Sequence, residues 1–92
     1  MKPKRQQTAK VTVSGTITKA PQRVRTATGK AMATMVIQAE SELRSPYPLT
    51  LVAYDDDALT LMTSQKGNRI IATGWPRWYN GYQLIGVMIT FN

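Results

Sequence analysis

From Lys10 the chain alternates between apolar and polar positions. Val11, Val13 and Ile17 stand at one parity, and Thr12, Ser14, Thr16 and Thr18 at the other. Apolar residues at every second position predict a half-buried strand, because successive strand side chains point to opposite faces. Gly15 interrupts the run and predicts a bulge or sharp bend. Ala20-Pro21 ends it, and residues 19–30 (KAPQRVRTATGK) read as a basic connection with Thr28-Gly29 as a turn. A second strand falls at about 30–40, where Ala33, Met35 and Ile37 alternate with Thr34, Val36 and Gln38. Its two faces differ little in polarity and leave the register open. A polar loop over 41–47, closed by Pro46 and Pro48, leads to a third strand at about 49–54. Leu49, Leu51 and Ala53 take one face of it, and Thr50, Val52 and Tyr54 the other.

The period then changes. Asp55-Asp56-Asp57 precedes Ala58-Leu59-Thr60-Leu61-Met62, and Lys66-Gly67 follows. Asp caps helix N-termini and complements the dipole there, while a cation and a Gly suit the other end, so one short helix is predicted near 56–66. Two strands follow, at about 69–79 and 82–91, joined by Asn80-Gly81 in a two-residue type I′ hairpin. That turn sets Tyr79 opposite Tyr82, Arg77 opposite Leu84, Trp75 opposite Gly86 and Thr73 opposite Met88. Ile70, Ala72, Ile85, Val87, Ile89 and Phe91 then share the core face, with Trp78 on the same side. Three strands, a helix and two strands describe an all-β protein: a five-stranded OB-fold Greek-key barrel with one short helix between strands 3 and 4.

Charge sharpens this picture. The chain holds 12 Lys+Arg and 5 Asp+Glu, a formal net charge of +7. Residues 1–30 carry Lys2, Lys4, Arg5, Lys10, Lys19, Arg23, Arg25 and Lys30 and no acid, while the remainder is close to neutral. Residues 1–9 lack apolar periodicity and read as a disordered basic tail, leaving 10–92 as the folded domain. A length of 92 residues supports one domain. Absence of Cys and His excludes disulfide scaffolds, thiolate zinc sites, Cys nucleophiles and Ser-His triads. The apolar stretch Leu84 to Ile89 is far short of the roughly 20 residues of a membrane helix. The basic start runs into Gln6-Gln7-Thr8 and not an apolar signal region. The expectation is a cytoplasmic protein that meets a polyanion and no membrane.

Three passages resemble bacterial single-stranded DNA-binding proteins. Val13-Ser14-Gly15-Thr16-Ile17-Thr18-Lys19-Ala20-Pro21 is similar to the opening strand of that family, with its Gly, hydrophobic residue and Pro before a basic segment. Arg23 through Ala33, with Thr26, Gly29, Met32 and Ala33, resembles the passage that follows. Lys66-Gly67-Asn68-Arg69-Ile70-Ile71-Ala72-Thr73-Gly74 resembles the one after the helix. The resemblance covers about 10–92 and extends to the PriB branch of the family, lacking the acidic, Phe-tipped C-terminal tail of cellular members. It implies an OB-fold, binding of single-stranded DNA, a homodimer or homotetramer, and a base-stacking role at the position Tyr54 matches. Without that tail, recruitment of replication or primosome proteins stays open. The loop between strands 2 and 3 is short and lacks the family's Trp near Leu43. Tyr47-Pro48 stands where a Trp often begins strand 3.

Binding a single strand without reading its sequence requires cations for phosphates and aromatic faces for bases. Trp75, Trp78, Tyr79 and Tyr82 fall close together around Arg77, and the predicted register puts Trp75, Arg77, Tyr79 and Tyr82 on the face away from the core. Strand alternation turns Tyr54 outward as well, and Tyr47 is a further aromatic candidate. Lys10, Lys19, Arg23, Arg25, Lys30 and Arg44 are the phosphate candidates beside Arg77. Asp55-Asp56-Asp57 reads as helix capping and not as a metal site, since consecutive carboxylates do not converge. No catalytic residue and no cofactor are expected, because five carboxylates without His make poor hydrolytic machinery.

Two other functions fit the same pattern. One is an RNA-binding OB module, which uses the same stacking and phosphate logic. The other is an adaptor that docks a protein of a replication complex through the aromatic hairpin.

Overall fold

The computed structural model describes residues 9–43, 45–78 and 80–91. Most of the expected tail, and the candidates Arg44 and Tyr79, lie outside the described residues. The elements are β1 (Val11–Arg23), β2 (Met32–Ala39), β3 (Tyr47–Tyr54), α1 (Asp55–Met62), β4 (Arg69–Trp78) and β5 (Tyr82–Phe91). The strands close a barrel in the order β1-β2-β3-β5-β4. β3 and β5 run parallel, and the other neighbours run antiparallel. This is the five-stranded OB-fold barrel, with its helix between β3 and β4.

β1 closes the barrel because it is long enough to serve two neighbours. Its first half pairs with β4, from Val11↔Gly74 to Thr16↔Arg69. Its second half pairs with β2, from Gly15↔Ala39 to Arg23↔Ala33. Gly15 is paired on both sides. A Cβ there would overlap the Gln38 carbonyl oxygen and lie 3.0 Å from its carbon and 3.1 Å from Ala39 Cα. The glycine therefore serves close strand approach, while the bulges fall farther on, between Ile17 and Lys19 and between Lys19 and Gln22. They carry the strand through Ala20-Pro21, where the sequence had suggested an end. A bulge accommodates Pro because the ladder is already interrupted there.

The interior follows the period-two pattern. Ile17, Ala33, Met35, Ile37, Leu49, Leu51, Ala53, Ile70, Ala72, Leu84 and Val87 are buried together. α1 adds Ala58 and Leu61, which lie one turn apart on one face and pack the barrel end. The helix starts and stops earlier than expected. No side-chain hydrogen bond caps it; Asp55, Asp56 and Asp57 lie inside its first turn, where their charge suits the dipole. Its last turn has no cation, and Lys66-Gly67 belongs to the following turn, where the Gly67 N–H donates to the Ile17 carbonyl at 2.9 Å.

The β4–β5 hairpin departs from the expected register in an informative way. Thr73↔Met88 and Ile71↔Thr90 pair as anticipated. Nearer the turn the pairs are Trp75↔Ile85, Pro76↔Leu84, Arg77↔Gln83 and Trp78↔Tyr82. Residues 79–81 separate the last pair, so the connection is one residue longer than the two-residue turn. Gly86 supplies the compensating extra residue on β5, in the left-handed region at φ 63. A one-residue slip exchanges faces. Leu84 is therefore buried where Ile85 was expected, and Tyr82 moves to the face of Trp78 and away from Trp75 and Arg77. Phe91, expected in the core, lies at the strand end and is 50% exposed.

Candidate nucleic-acid interface

The outer face of the barrel carries the polar parity of each strand. On β2 these are Met32, Thr34, Val36 and Gln38, and on β3 Thr50, Val52 and Tyr54. On the hairpin they are Trp75 and Arg77, beside Ile85 and Gln83. Cross-strand pairs join them into one lateral row: Trp75↔Ile85, Ile85↔Val52, Val52↔Thr34 and Thr34↔Gln22. Four strand spacings separate its ends, about 19 Å along the surface.

Trp75 opens this row. Its six-membered ring lies against Gly86, where a Cβ would sit 3.2 Å from Cε3 and 3.3 Å from Cζ3. Gly86 leaves room for the indole, although the residue paired with Trp75 is Ile85 and not the expected Gly86. Trp75 remains 43% exposed. The β1–β4 register brings Lys10 beside it, with Nζ 4.7 Å from the ring centroid. Arg77 shares the face and donates from Nη2 to Gln83 Oε1 at 3.0 Å.

Tyr54 lies two residues beyond Val52 on β3, about 7 Å along the strand. It pairs with Met32, whose carbonyl accepts the Val24 N–H at 2.9 Å. The Asp55 N–H donates to the Ala31 carbonyl at 2.9 Å. These two bonds tie the β1–β2 connection to the Tyr54 end of the barrel. Arg23 and Arg25 thus flank a backbone position two strands from Tyr54, about 10 Å away. The connection folds on itself through Thr26 Oγ1 donating to the Lys30 carbonyl at 3.0 Å and Gly29 N–H to the Thr26 carbonyl at 3.2 Å. Arg23, Val24, Arg25, Thr26, Gly29 and Lys30 line an open hollow of about 360 Å³. Three cations and no carboxylate line it. Lys19, exposed at the first bulge, borders a smaller hollow with Gln22, Thr34 and Val36.

Two aromatic candidates lie elsewhere. Tyr47 has the parity of Leu49 and Leu51, is half-buried, and packs on the core at the opposite end of β3 from Tyr54. Tyr82 stacks against Trp78 with ring centroids 4.7 Å apart and planes inclined at 43°. That pair occupies the other side of the hairpin, where Trp78 has the core-side parity expected of it but is 78% exposed beyond the barrel. The aromatic set therefore splits into Trp75 with Tyr54 on the outer face and Trp78 with Tyr82 behind it. Ile85 on β5 and the buried Val52 on β3 lie between Trp75 and Tyr54, with Met32 beyond Tyr54 on β2; the predicted register had put Ile85 in the core, and the slip at Gly86 turns it outward.

The one ion pair among the described residues stands at the junction of β2, β1 and β4. Arg69 donates to both oxygens of Glu40, with Nη2 to Oε1 at 3.1 Å. Those hydrogen bonds hold the Glu40 carboxyl below its ordinary range and raise the Arg69 guanidinium above its own. Among the described residues no cluster of acids, His or Cys could hold a metal ion, and no helix is long and apolar enough to cross a membrane.

No protein-family model matches the sequence, and no curated protein does. Solved structures do match the fold. The SSB domain of a Synechococcus protein superposes with a TM-score of 0.80 at 18% identity, over 94% of this chain and 98% of that one. The single-stranded DNA-binding protein of Thermus aquaticus gives 0.78 at 15% identity, over 90% of this chain and 39% of that one. PriB from Ralstonia solanacearum gives 0.75 at 10% identity, over 90% and 97%. At these identities the likeness establishes the shared barrel.

Proposed function

We propose that this chain is a non-catalytic single-stranded DNA-binding protein, acting by phosphate contacts and base stacking in DNA replication, recombination or repair. One observation carries the reading: Trp75 and Tyr54 both point outward and are exposed two strand spacings apart on the barrel, with Lys10 over Trp75 and the Arg23–Lys30 connection tied beside Tyr54. An extended strand laid across it stacks its bases on the aromatics, each worth about 1–3 kcal/mol. Its phosphates meet the cations. The likeness to the single-stranded DNA-binding protein of Thermus aquaticus supports the same choice and favours DNA over RNA.

The test is a titration with oligo-dT of increasing length, read by tryptophan fluorescence, beside a matched RNA. Five phosphate contacts, at Lys10, Lys19, Arg23, Arg25 and Lys30, give a slope of log K against log salt of about −3.5. Unchanged fluorescence with long oligo-dT at low salt rejects the reading, and a clear preference for RNA replaces it with the RNA-binding one.

Trp78 favours a second role. A tryptophan that is 78% exposed on the far side of the hairpin suits a protein contact, either a replication or primosome protein or another copy. We take the chain to form a homodimer or homotetramer, since β5 meets β3 only over Gln83 to Ile85 and leaves the rest of that edge without a described strand partner. Light scattering that finds a stable monomer refutes the assembly. Loss of a protein complex in Trp78→Ala with DNA affinity intact identifies Trp78 as the docking residue.

A further inference from the structure

We infer that Lys10 is a displaceable cap on Trp75, which leaves the indole for a phosphate when a nucleobase takes its place; the inference rests on the DNA-binding reading above. Its ammonium lies 4.7 Å from the ring centroid. The pairing Val11↔Gly74 holds the two residues side by side on adjacent strands. Gly86 lies against Cε3 and Cζ3 of the six-membered ring, and a base that stacks on the face Lys10 lies over must displace the ammonium. Among the described residues no hydrogen bond or ion pair joins Lys10 to another residue, and their ion pair lies at Glu40 and Arg69.

Relative strengths decide the direction of the exchange. A cation at an exposed aromatic ring favours the capped form about two- to fivefold. A stacked base is favoured by about fivefold to a hundredfold or more. The base therefore wins, and the released ammonium stays within reach of the adjoining phosphate, which replaces the ring as its electrostatic partner. Lys10 acts twice with opposite signs: it opposes stacking in the free protein and attracts the backbone in the complex. A strand that offers phosphates without a base at this step cannot complete the exchange, so the cap favours stacked binding over loose electrostatic attachment.

The exchange leaves a signature that neither role produces alone. In Lys10→Ala the competitor is gone, so affinity for oligo-dT at 1 M salt rises about two- to fivefold. One phosphate contact is also gone, so the salt slope becomes shallower by about 0.7. At 50 mM salt that contact is worth about eightfold, and the native protein binds more tightly. The two plots of log K against log salt therefore cross, at about 0.1–0.4 M. Lines that only converge toward 1 M make Lys10 a plain phosphate contact, and parallel lines make it a plain competitor; either overturns the exchange. Proton NMR of the whole chain gives an independent reading. The Lys10 ε-methylene resonance, assigned by its loss in Lys10→Ala, is expected upfield of the other lysines in the free protein and back among them with saturating oligo-dT. An unshifted signal in the free protein, or one that stays shifted in the complex, removes the cap while leaving DNA binding intact. Failure of oligo-dT to bind at all removes both the exchange and the functional reading.

Discussion

Gly86 links the fold to the candidate site, and Gly86→Ala tests that link. The residue is at φ 63, and a Cβ would meet Trp75 at 3.2 and 3.3 Å. Two effects follow. A non-glycine residue in the left-handed region costs about 1–2 kcal/mol, which lowers Tm by about 4–16 °C in a domain of this size. Contacts of 3.2–3.3 Å are too close for carbon, and the partner is a ring that is 43% exposed. The exposed indole is then the part that gives way, by a few tenths of an ångström. Because stacking depends on where that ring sits, oligo-dT binding weakens, by at most what a whole stacked base is worth, about 1–3 kcal/mol or about five- to 150-fold. Gly86→Asn separates the effects, because Asn tolerates the left-handed region but keeps the Cβ. It should recover much of the thermal stability and none of the affinity. The assays are thermal unfolding by circular dichroism and oligo-dT binding by anisotropy. In the double variant with Trp75→Ala, Gly86→Ala should add no further binding loss. Full affinity in Gly86→Ala, or an additive loss in the double variant, would refute the claim that the bulge positions Trp75 for stacking.

Other consequences are as direct. Trp75→Ala and Tyr54→Ala should each weaken oligo-dT binding by about 1–3 kcal/mol with an unchanged salt slope, whereas Arg23→Ala, Arg25→Ala and Lys30→Ala should each make the slope shallower by about 0.7; binding isotherms at several salt concentrations distinguish the two groups. Gly15→Ala sets a methyl against the Gln38 and Ala39 backbone inside a doubly paired strand, and a loss at or above the usual overpacking range of about 1–3 kcal/mol should show as a lower urea midpoint. The Arg69 hydrogen bonds depress the Glu40 carboxyl, so their contribution is complete above its ordinary value of 4.5 and is lost as pH falls through the lower folded value. Glu40→Gln should therefore differ from the native chain at neutral pH and match it in strong acid, by a small amount because both side chains are exposed.

Much of the barrel was legible along the chain because it rests on local rules. Period-two alternation grouped Leu49, Leu51 and Ala53 on one face of the third strand, and all three are buried; for the second strand it left the choice of face open, and the structure buries Ala33, Met35 and Ile37. The count and order of elements pointed to the OB-fold, and β5 runs over the predicted span. Boundaries were less legible. β1 passes through Ala20-Pro21 because bulges absorb the proline, and a bulge depends on the partner strand as much as on the residue itself.

What the residues alone determined is the chemistry on offer: eight cations without an acid in the first thirty positions, and aromatics gathered near the other end. Tertiary structure decided which of them meet. Register across the hairpin turned on one extra residue at Gly86, and because a strand's faces alternate, that residue moved Tyr82 behind the sheet and left Trp75 in front. Closure by β1 brought Lys10 onto Trp75, 65 positions away in the chain, and two backbone hydrogen bonds tied the Arg23–Lys30 connection to the Tyr54 end. Pairing between distant segments depends on the whole barrel closing at once, which no local pattern encodes. Lys10 and Trp75, from opposite ends of the chain, meet only when that closure is made.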